Sequence, residues 1–531
     1  MPSTDRGLVT GFVKSVEAHD RRPALEVGES ILTYAELAAR ASDLAATIRT
    51  FKPGTQPVGA VYGYRSVAAY AGVLGTLLSG KGYVPLHPHF PPARTRYMLM
   101  LSGADTVIVG AEAAAKLDQV LEGIDRQLLL ICPDTTDVSP FRERWNKHRF
   151  VGAGELVRSG KLVVPDRVNT DACAYMLFTS GSTGQPKGVP VSHGNVGSYL
   201  EYISKRYDIT PEDRASQAFQ MTFDVSVHDL FTTWSHGACL CSIPHRQLMA
   251  PARFIQDNRL TLWYSVPSVI MFLSRMRMLK PGMFPTLRMS FFAGEVLPAG
   301  LASQWQAAAP NSIVENLYGP TEATITITHY RWTPDSMARC LNGNVPIGTV
   351  FSTQKAAVVD ENLRPVPDGR PGELCLSGSQ VARGYLNAPE KTASQFVHLP
   401  GGGDAIWYRT GDRVIRDPDG CIHYLGRIDL QVQIRGYRVE LQEVEHVVRR
   451  AAGTELAVAV PYPVRDGCAE GIHVFICGRA DDVVRKRVLT ECGRRLPDYM
   501  IPRSVQFRDM MPLNSNGKID RDVLASSLEN V

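Results

Sequence analysis

The chain is 531 residues long, which at about 150 residues per domain predicts three to four domains, or one large domain with a smaller one attached. Its composition, 44% hydrophobic, 21% charged and 8% aromatic, is typical of a globular protein and excludes extended disorder, collagen-like repeats and coiled coil. The net charge of +4 is too small over this length to predict a nucleic-acid-binding surface. Arg435 and Arg438 form the sharpest basic pair, but they fit a solvated strand edge equally well, so we predict no nucleic-acid partner.

The ten cysteines are scattered, with no C-x-x-C pair and no Cys/His set at zinc spacing, and we interpret them as free core thiols. Cys239 and Cys241 share an apolar run that is typical of a buried strand. Residues 1–6 lack the basic-then-apolar pattern of a signal peptide, and no apolar run reaches the length of about 18 residues that predicts a membrane span. We therefore predict a cytoplasmic protein with no membrane association.

From about residue 8 to 425, helix-length amphipathic stretches alternate with short apolar runs, such as those at 56–63 and 104–110. This alternation is typical of β-α units in a mostly parallel sheet. After residues 409–412 the pattern changes to short strands and turns, followed by mixed helix and strand. The sequence thus predicts an α/β fold with a large, multi-subdomain N-terminal body, residues 1–428, and a small α+β C-terminal domain, residues 429–531.

The most informative segment is an apolar run that enters a loop of Ser, Thr and Gly and then reaches a lysine. Hydroxyls, unhindered backbone N–H groups and one cation together suit a polyphosphate. The loop residues are Thr179, Ser180, Gly181, Ser182, Thr183, Gly184 and Lys187. The Walker A pattern G-x-x-x-x-G-K-S/T fails twice, because Pro186 stands where its second Gly is required and Gly188 follows the lysine. Taken alone, the segment also fits an ordinary Ser/Gly turn.

Together with six further motifs in order, this loop resembles the adenylate-forming (ANL) superfamily of acyl-CoA ligases, luciferases and amino-acid adenylation domains of nonribosomal peptide synthesis. The matching motifs are LTYAEL at 32–37, GYVPLHP at 82–88, TSGSTGQPKG at 179–188, LYGPTEAT at 317–324, YRTGD at 408–412, GRIDLQVQIRGYRVE at 426–440 and NSNGKID at 514–520. The resemblance covers nearly the whole chain. It implies an AMP-forming ligase that uses ATP and Mg²⁺, in which a carboxylate attacks the α-phosphorus and pyrophosphate leaves.

The resemblance also implies roles for individual residues around the nucleotide. The loop at 179–187 would hold the β and γ phosphates, and Glu322 would carry Mg²⁺. Tyr318 would stack on adenine, and Thr321 of the same motif would contact the nucleotide. Asp412 would bind the ribose hydroxyls with Arg427 close by, although an isolated Asp after a Thr-Gly turn also fits a turn cap.

Lys518 lies in a polar turn thirteen residues from the C-terminus, where an isolated lysine is usually solvated. In the family this lysine bridges the substrate carboxylate and the α-phosphate, so the resemblance implies that Lys518 is catalytic together with Glu322. Asp429 matches the family's hinge, about which the small domain would move. Gln433 is a departure, because related sequences commonly carry lysine there.

Asp224 distinguishes among the substrate classes of the superfamily. In amino-acid adenylation enzymes the first Asp of the FDVSVHD stretch pairs with the substrate α-ammonium, whereas fatty-acid and aryl-acid ligases normally lack it. An unpaired buried carboxylate costs several kcal/mol, so its presence predicts that a cation arrives with the substrate. The alternative is that Asp224 caps the following helix.

The resemblance assigns the amino-acid pocket to Asp224, Val225, His228, Tyr264, Phe291, Ala293, Leu317, Ile325, Thr326 and Lys518. Tyr264 and Phe291 are bulky, and His228 also fits a core histidine, so we predict a shallow, uncharged cavity and a small substrate. The chain is also similar to D-alanine:carrier-protein ligases, which typically have Cys at the position of Ala293 and thereby prefer the D isomer. We therefore expect a small L-amino acid, with alanine first and serine or glycine close behind.

The sequence contains neither a G-x-D-S-L/I phosphopantetheine site nor an H-H-x-x-x-D-G condensation motif. We therefore expect the acceptor to be a discrete carrier protein with a phosphopantetheine arm, or the amine of an aminoacyl group on such a carrier, as in relatives from macrolactam antibiotic pathways. Three alternatives are a D-alanine:carrier-protein ligase, an acyl- or aryl-CoA ligase, and a catalytically inactive nucleotide-binding protein. Asp224 argues against the second, and the presence of Lys518, Glu322 and Asp412 argues against the third.

Overall fold

The structure is a computed structural model that describes residues 7–51, 54–165, 167–181, 185–248, 250–465, 468–513 and 519–529. The predicted loop residues Ser182, Thr183 and Gly184 and the predicted catalytic Lys518 lie outside the described residues. Among the described helices, none has the length and apolar character that a membrane crossing requires. The cysteines are free, as predicted; seven of the ten are buried, and Cys173, Cys340 and Cys477 are half-buried rather than core residues.

Two mostly parallel sheets form the N-terminal body. The first has seven strands, in the spatial order Arg149–Gly152, Leu129–Cys132, Thr106–Val109, Val58–Tyr62, Gly82–Leu86, Cys173–Thr179 and Lys187–Ser192. The second has nine, in the order Thr349–Val350, Thr328–Trp332, Ile313–Tyr318, Met289–Phe292, Leu262–Ser265, Arg214–Gln217, Cys239–Ser242, Pro23–Val27 and Ser30–Thr33. The apolar runs at 56–63 and 104–110 form neighbouring parallel strands, and Cys239 and Cys241 lie in a buried strand, as predicted.

Helices connect these strands and pack against them, because each crossover between parallel strands needs a connecting segment of helix length. Ser66 and Ser192 begin two of the helices with side-chain caps. The α-helices of the described body are Thr10–His19, Tyr34–Phe51, Val67–Leu78, Pro92–Ser102, Ala111–Leu121, Ser139–Arg144, His193–Arg206, Val225–Val227, Thr233–Ser235, Ala252–Asp257, Pro267–Arg275, Ala299–Ala308 and Pro389–Gln395. Shorter turns are the π-helical His228–Thr232 and the 3₁₀ segments Gly7–Val9, Ala153–Glu155, His245–Gln247, Thr321–Ala323 and Pro334–Arg339.

A third, antiparallel sheet completes the body and carries the YRTGD motif. Its strands are Gln354–Val359, Gly372–Gly378, Trp407–Arg416, Phe396–Val397 and Ile422–Arg427. Asp412 and Arg427 lie directly opposite each other in this sheet. Antiparallel neighbours at this spacing allow their side chains to meet.

The strands after residue 430 form two small sheets of their own. One contains Tyr437–Glu440, Gln431–Ile434, Cys468–Ala469 and Val464–Arg465, and the other Ala457–Pro461, Ile472–Cys477 and Ser504–Arg508. The helices Leu441–Ala452, Asp482–Arg495 and Arg521–Ser526 and the 3₁₀ turn Asp498–Met500 accompany them. A large α/β body with a small α+β C-terminal part is therefore the fold, and the predicted fold class is confirmed.

Candidate active site

A cavity of about 350 Å³ lies between the body and the C-terminal part. Its body side includes Tyr318, Asp412 and Arg427, and its C-terminal side includes Gln433 and Arg438. The volume is in the range of small-molecule sites in proteins. Three residues predicted to surround a nucleotide thus line one cavity.

Asp412 is held in place by two neighbours. The Arg427 guanidinium donates to one carboxylate oxygen (Nη1 to Oδ1, 2.8 Å), and the Tyr318 hydroxyl donates to the other. Burial and the neighbouring Asp412 charge raise the pKa of Tyr318 well above its ordinary value, so this hydroxyl keeps its proton. The carboxylate is therefore fixed in a geometry in which it can accept hydrogen bonds from a ribose.

The described part of the phosphate loop joins two antiparallel strands, Cys173–Thr179 and Lys187–Ser192, in which Thr179 and Lys187 pair directly. This register brings the lysine beside the hydroxyl end of the loop. The Thr179 Oγ1 atom is buried and has no hydrogen-bond partner among the described residues. A buried hydroxyl without a partner is costly, and a phosphate oxygen would satisfy it.

Glu322 is fully buried and is surrounded by donors. Arg438 Nη1 lies 3.1 Å from Oε2, Lys187 Nζ lies 3.3 Å from Oε1, and the Tyr385 hydroxyl donates to Oε1 at 2.8 Å. Burial alone would raise the pKa of the Glu322 carboxyl, but the charges of Arg438 and Lys187 hold it well below its ordinary value. Glu322 is therefore a carboxylate at every physiological pH.

A buried, permanently ionised carboxylate beside a phosphate loop fits Mg²⁺, which takes one or two carboxylates together with phosphate oxygens. Glu322 would supply that ligand. Lys187 and Arg438 neutralise Glu322 in this structure, and their charges would repel a bound Mg²⁺.

Asp224 is buried, and its Oδ2 atom has no hydrogen-bond partner among the described residues. Burial raises the pKa of this carboxyl to about 7, although the Thr321 hydroxyl partly offsets the effect. Asp224 precedes the helix Val225–Val227, but its side chain makes no capping hydrogen bond, so the helix-cap alternative is not supported.

The remaining predicted pocket residues are all buried: Val225, His228, Tyr264, Phe291, Ala293, Leu317, Ile325 and Thr326. Tyr264 and Phe291 pair in register on adjacent strands, and His228 packs against both, with ring centroids 4.9 and 5.4 Å away. A hydrogen bond of 2.7 Å between His228 Nδ1 and the Tyr199 hydroxyl fixes this ring. These rings also line a separate void of about 10 Å³, which Asp224 does not line, so little space remains behind the aromatic wall.

Thr324 and Ile325 form a strained turn that the sequence did not indicate, and Thr326 follows it. Thr324 and Ile325 have φ values of 59° and 71°, which β-branched residues rarely adopt. Gln380 is fully buried and donates from Nε2 to the Thr326 carbonyl at 2.8 Å. The backbone carbonyl of Gln380 accepts a hydrogen bond from the Thr324 hydroxyl. Gln380 and Tyr385 thus support the site from a segment that carries no recognisable local signal.

Arg438 is inside the site rather than at a solvated strand edge, and only 19% of its side chain is exposed. The solvated interpretation of the Arg435/Arg438 pair is therefore wrong for Arg438, whereas Arg435 is exposed in a turn. Asp429, the predicted hinge, is exposed and binds Arg427 through both carboxylate oxygens. The sheet membership of the strands changes between Arg427 and Gln431, on either side of this residue.

The family described as AMP-binding enzyme matches residues 12–386, more than half of the sequence. The chain belongs to the AMP-binding enzyme family. This AMP-binding enzyme is 34% identical over 519 residues to an L-proline–(L-prolyl-carrier protein) ligase from Streptomyces coelicolor, covering 94% of this chain and 93% of that protein. It is 35% identical over 541 residues to the phosphinothricin tripeptide synthetase PhsC from Streptomyces viridochromogenes, covering 99% of this chain.

The AMP-binding enzyme spans 46% of PhsC and 7% of tyrocidine synthase 3 from Brevibacillus parabrevis, less than half the length of either relative. Among solved structures it is similar to the Vibrio cholerae adenylation domain AlmE in complex with glycyl-adenosine-5'-phosphate, with a TM-score of 0.89, 33% identity and coverage of 99% and 98%. It is also similar to IdnL7, with a TM-score of 0.72, 34% identity and coverage of 99% of both chains. The predicted family is confirmed.

Proposed function

We propose that this protein uses ATP to activate a small amino acid as its aminoacyl-AMP, releases pyrophosphate, and transfers the aminoacyl group to a carrier protein. The observation that carries this proposal is Asp224, a buried residue close to Glu322 whose Oδ2 atom has no hydrogen-bond partner in the part of the chain that the structure describes. A substrate α-ammonium would supply the missing partner. A fatty or aryl acid brings no cation, so the acyl- and aryl-CoA ligase alternative leaves this carboxylate unexplained.

The described residues have distinct tasks in this reaction. Asp224 holds the α-ammonium and so orients the attacking carboxylate, while Tyr318, Asp412 and Arg427 hold the nucleoside part of ATP. Thr179 and Lys187 bind the β and γ phosphates, and the lysine charge stabilises the departing pyrophosphate. Bringing the two anions into reacting geometry would contribute to the rate acceleration, together with the electrostatic stabilisation of the leaving group.

Two further groups complete the proposed chemistry. Glu322 would hold Mg²⁺, which when bound neutralises charge on the phosphate oxygens. Lys518 is proposed, from its position in the NSNGKID motif, to bridge the substrate carboxylate and the α-phosphate. Asp429 is proposed as the hinge between residues 1–428 and 429–531, and motion about it would exchange Lys518 for another face of the C-terminal domain.

A small substrate follows from the aromatic wall of His228, Tyr264 and Phe291, behind which little space remains. The Tyr264 hydroxyl is buried without a hydrogen-bond partner among the described residues, which favours serine beside alanine as the substrate. Ala293 leaves room where D-alanine ligases carry a larger side chain, which favours the L isomer. The name of the Streptomyces coelicolor relative adds proline to the amino acids worth testing.

A separate carrier protein is the proposed acceptor. The Streptomyces coelicolor relative is named as a ligase that acts on a carrier protein, which supports this proposal. Transfer to the phosphopantetheine thiol of a carrier, or to the amine of an aminoacyl-carrier, is consistent with an activated acyl-AMP, since both acceptors are nucleophiles. We also propose that this reaction takes place in the cytoplasm.

The deciding experiment is amino-acid-dependent exchange between ATP and labelled pyrophosphate, with the twenty L-amino acids, D-alanine and several β-amino acids. We expect the highest rate with L-alanine, serine or glycine. Asp224→Ala and Lys518→Ala should each abolish exchange. Tyr264→Phe should lower kcat/KM for serine more than for alanine, because only serine brings a hydroxyl to the unpaired one.

Three other results of the exchange experiment would contradict part or all of the proposed function. Exchange with proline but not with the small amino acids would overturn the proposed substrate and keep the reaction. Exchange with plain carboxylic acids alone would show that Asp224 is structural and would favour the CoA-ligase alternative. The absence of exchange with every acid would favour the inactive nucleotide-binding alternative.

A further inference from the structure

Two cysteines and a glutamate meet on one face of the nine-stranded sheet. Cys239 and Cys241 alternate with Leu240 along one buried strand, so both thiols lie on the same side of the sheet. Glu26 lies directly opposite Cys241 on the neighbouring parallel strand. Each of the three side chains offers one possible ligand atom, and these atoms all lie within 4.8 Å of one another. We call Glu26, Cys239 and Cys241 the dithiol cluster.

The two thiols of the cluster are buried and close to each other. A hydrogen bond between the side chains of Cys239 and Cys241, together with burial, raises the pKa of the Cys241 thiol well above its ordinary value. The Cys241 thiol also lies 3.8 Å from Glu26 Oε2. Two sulfur atoms and a carboxylate oxygen are thus gathered at one point, although Glu26 and Cys241 are 215 residues apart in the sequence.

A disulfide fits these cysteines poorly. Two residues apart on one strand, their Cα atoms are separated by about 6.6 Å, which is twice the rise of a strand residue. That separation is at the upper end of the range that disulfides span, and the two side chains stand side by side instead of turning toward each other. A metal ion that bonds each sulfur at about 2.3 Å joins two thiolates without this constraint.

Arg214 holds the Glu26 carboxylate in position. Its Nη1 and Nη2 atoms donate to Oε1 and Oε2 of Glu26 at 2.9 and 2.6 Å. Its Nε atom donates to the Asn258 carbonyl at 2.6 Å. Because a carboxylate has about four lone-pair sites, Glu26 can keep both hydrogen bonds and still offer a lone pair to a metal ion. Carboxylates that bind metals are commonly held by such hydrogen bonds.

The charges and donor atoms of the cluster suit a divalent cation that accepts sulfur. Two thiolates and the Glu26 carboxylate carry three negative charges, the Arg214 guanidinium offsets one of them, and a divalent ion would neutralise the other two. Thiolate ligands favour Zn²⁺, whereas Mg²⁺ and Ca²⁺ take oxygen ligands. The Glu26 and Arg214 side chains are 18% and 27% exposed, so an ion and a water molecule can reach the cluster from this side.

We propose that Cys239, Cys241 and Glu26 bind one Zn²⁺ ion, with water as the fourth ligand. Binding forms two zinc–sulfur bonds and one zinc–oxygen bond to the protein, and the two thiol protons pass to solvent. The ion would join the strands Pro23–Val27 and Cys239–Ser242 and stabilise this part of the sheet.

The site lies on the face of the sheet opposite the aromatic wall of the amino-acid pocket. Leu240 points to the other face and belongs to the hydrophobic cluster that contains Tyr264 and Phe291. Both thiols belong to a different cluster. The zinc would therefore have a structural role and would take no part in the proposed adenylation.

X-ray absorption at the zinc edge tests the ligands in the unmodified, reduced protein. With one equivalent of Zn²⁺ we expect two sulfur neighbours at about 2.3 Å, and nitrogen or oxygen at about 2.0 Å for the rest. Among the described residues one other group, Asp417, Cys421 and His423, has its ligand atoms equally close, and it offers a single sulfur. One sulfur neighbour, or none, would overturn the proposal.

Substitutions test where the ion binds. Cys239→Ala and Cys241→Ala should each lower the affinity for Zn²⁺ at least about 100-fold, measured by competition with a chromophoric chelator. Cys421→Ala is the matched control, since Cys421 is also a buried thiol beside possible metal ligands, and it should stay within about twofold of the wild type. Lower affinity in Cys421→Ala alone would overturn the proposal. Near-ultraviolet circular dichroism checks that each variant is folded.

The exchange reaction tests the structural role. Cys241→Ala should keep amino-acid-dependent exchange within about twofold of the wild type, because its thiol lies on the opposite face of the sheet from the aromatic wall. Loss of exchange in a folded Cys241→Ala protein would overturn this role. The X-ray absorption result does not depend on exchange, so failure of the proposed function and failure of the zinc site are distinguishable.

Discussion

The Asp224 Oδ2 atom has no hydrogen-bond partner among the described residues, and the cost of ionising this buried carboxyl makes the stability of the protein depend on pH. Burial raises its pKa from 3.8 to about 7, so between these values the folded protein keeps a proton that the unfolded chain releases. The stability contributed by Asp224 therefore falls as the pH rises through this window. We expect the free energy of unfolding of Asp224→Asn, relative to that of the wild type, to increase by about 2 kcal/mol from pH 5 to pH 8. Urea unfolding of the body measures this difference.

Asp213→Asn is the matched control for this measurement. Asp213 is also buried but is bound by Arg288, Thr261 and the Thr210 N–H, and these contacts outweigh burial and lower its pKa. Its titration lies below pH 5 in both states, so Asp213→Asn should be less stable than the wild type by the same amount at pH 5 and pH 8. A difference for Asp224→Asn that did not change with pH would show that the carboxyl is not titrating near 7.

For single residues, the sequence was informative where the side chain is large or needs a charged partner. An acid in an apolar stretch, as at Asp224, and the bulky Tyr264 and Phe291 could be placed from motif positions, and they converge in the structure. The environment of Arg438 could not be predicted from the sequence. The local sequence around an arginine in a short polar strand is the same whether the side chain faces water or a buried carboxylate 116 residues away in the chain. Its partner is set by the packing of two separate sheets.

The strand Ile422–Arg427 links the nucleotide residues to the predicted hinge. Its last residue, Arg427, donates to the Thr410 carbonyl and to Asp412, each at 2.8 Å, and also binds Asp429. A lysine ammonium cannot span these acceptors at once. We expect Arg427→Lys to raise the KM for ATP in the exchange reaction about tenfold, equivalent to about 1.4 kcal/mol.

Arg409→Lys tests whether this effect is specific. Arg409 lies on the neighbouring strand Trp407–Arg416 and pairs with Glu373 through Nε at 3.0 Å and Nη2 at 2.7 Å. The same substitution there should change stability but leave the KM for ATP within twofold of the wild type. Equal effects of the two substitutions would indicate a general loosening of the sheet instead of a role for Arg427 at the nucleotide.

Periodicity predicted elements well where one face or both faces of a strand are apolar, as in Val58–Tyr62 and Thr106–Val109. It did not predict the π-helical turn His228–Thr232, which directly follows the helix containing Val225. One extra residue in a helical turn shifts every later side chain around the axis, and no apolar pattern records such a single insertion. The orientation of His228 toward Tyr264 and Phe291 had to come from the structure.

For the molecule as a whole, a change in pattern predicted a large body and a small C-terminal part, but it did not predict their relative placement. It depends on contacts such as Arg94 with Glu443, 349 residues apart, and Glu295 with Cys468, 173 residues apart. Single polar pairs at such separations leave no periodic trace in a sequence. The main hydrophobic cluster after residue 430 contains residues of the C-terminal part alone.

This division into separate cores predicts how the protein melts. Because the C-terminal part has a hydrophobic core of its own, calorimetry without ligand should show two transitions, the C-terminal one with an enthalpy of about 70 kcal/mol. AMP in the cavity would touch both parts, and a ligand stabilises whatever must be folded to bind it. Saturating AMP should therefore raise both transition temperatures.

The same calorimetric measurement with magnesium pyrophosphate should give a different result. It should raise the transition of the body and leave the C-terminal transition where it is or lower it. Residues 438–443 of the C-terminal part contact Ser180, Gly181 and Glu322, the groups that the proposed function assigns to phosphate and metal. A cavity that belonged to the body alone would make AMP behave as pyrophosphate does, shifting one transition only. The two ligands together thus distinguish a site shared by the two parts from a site on one of them.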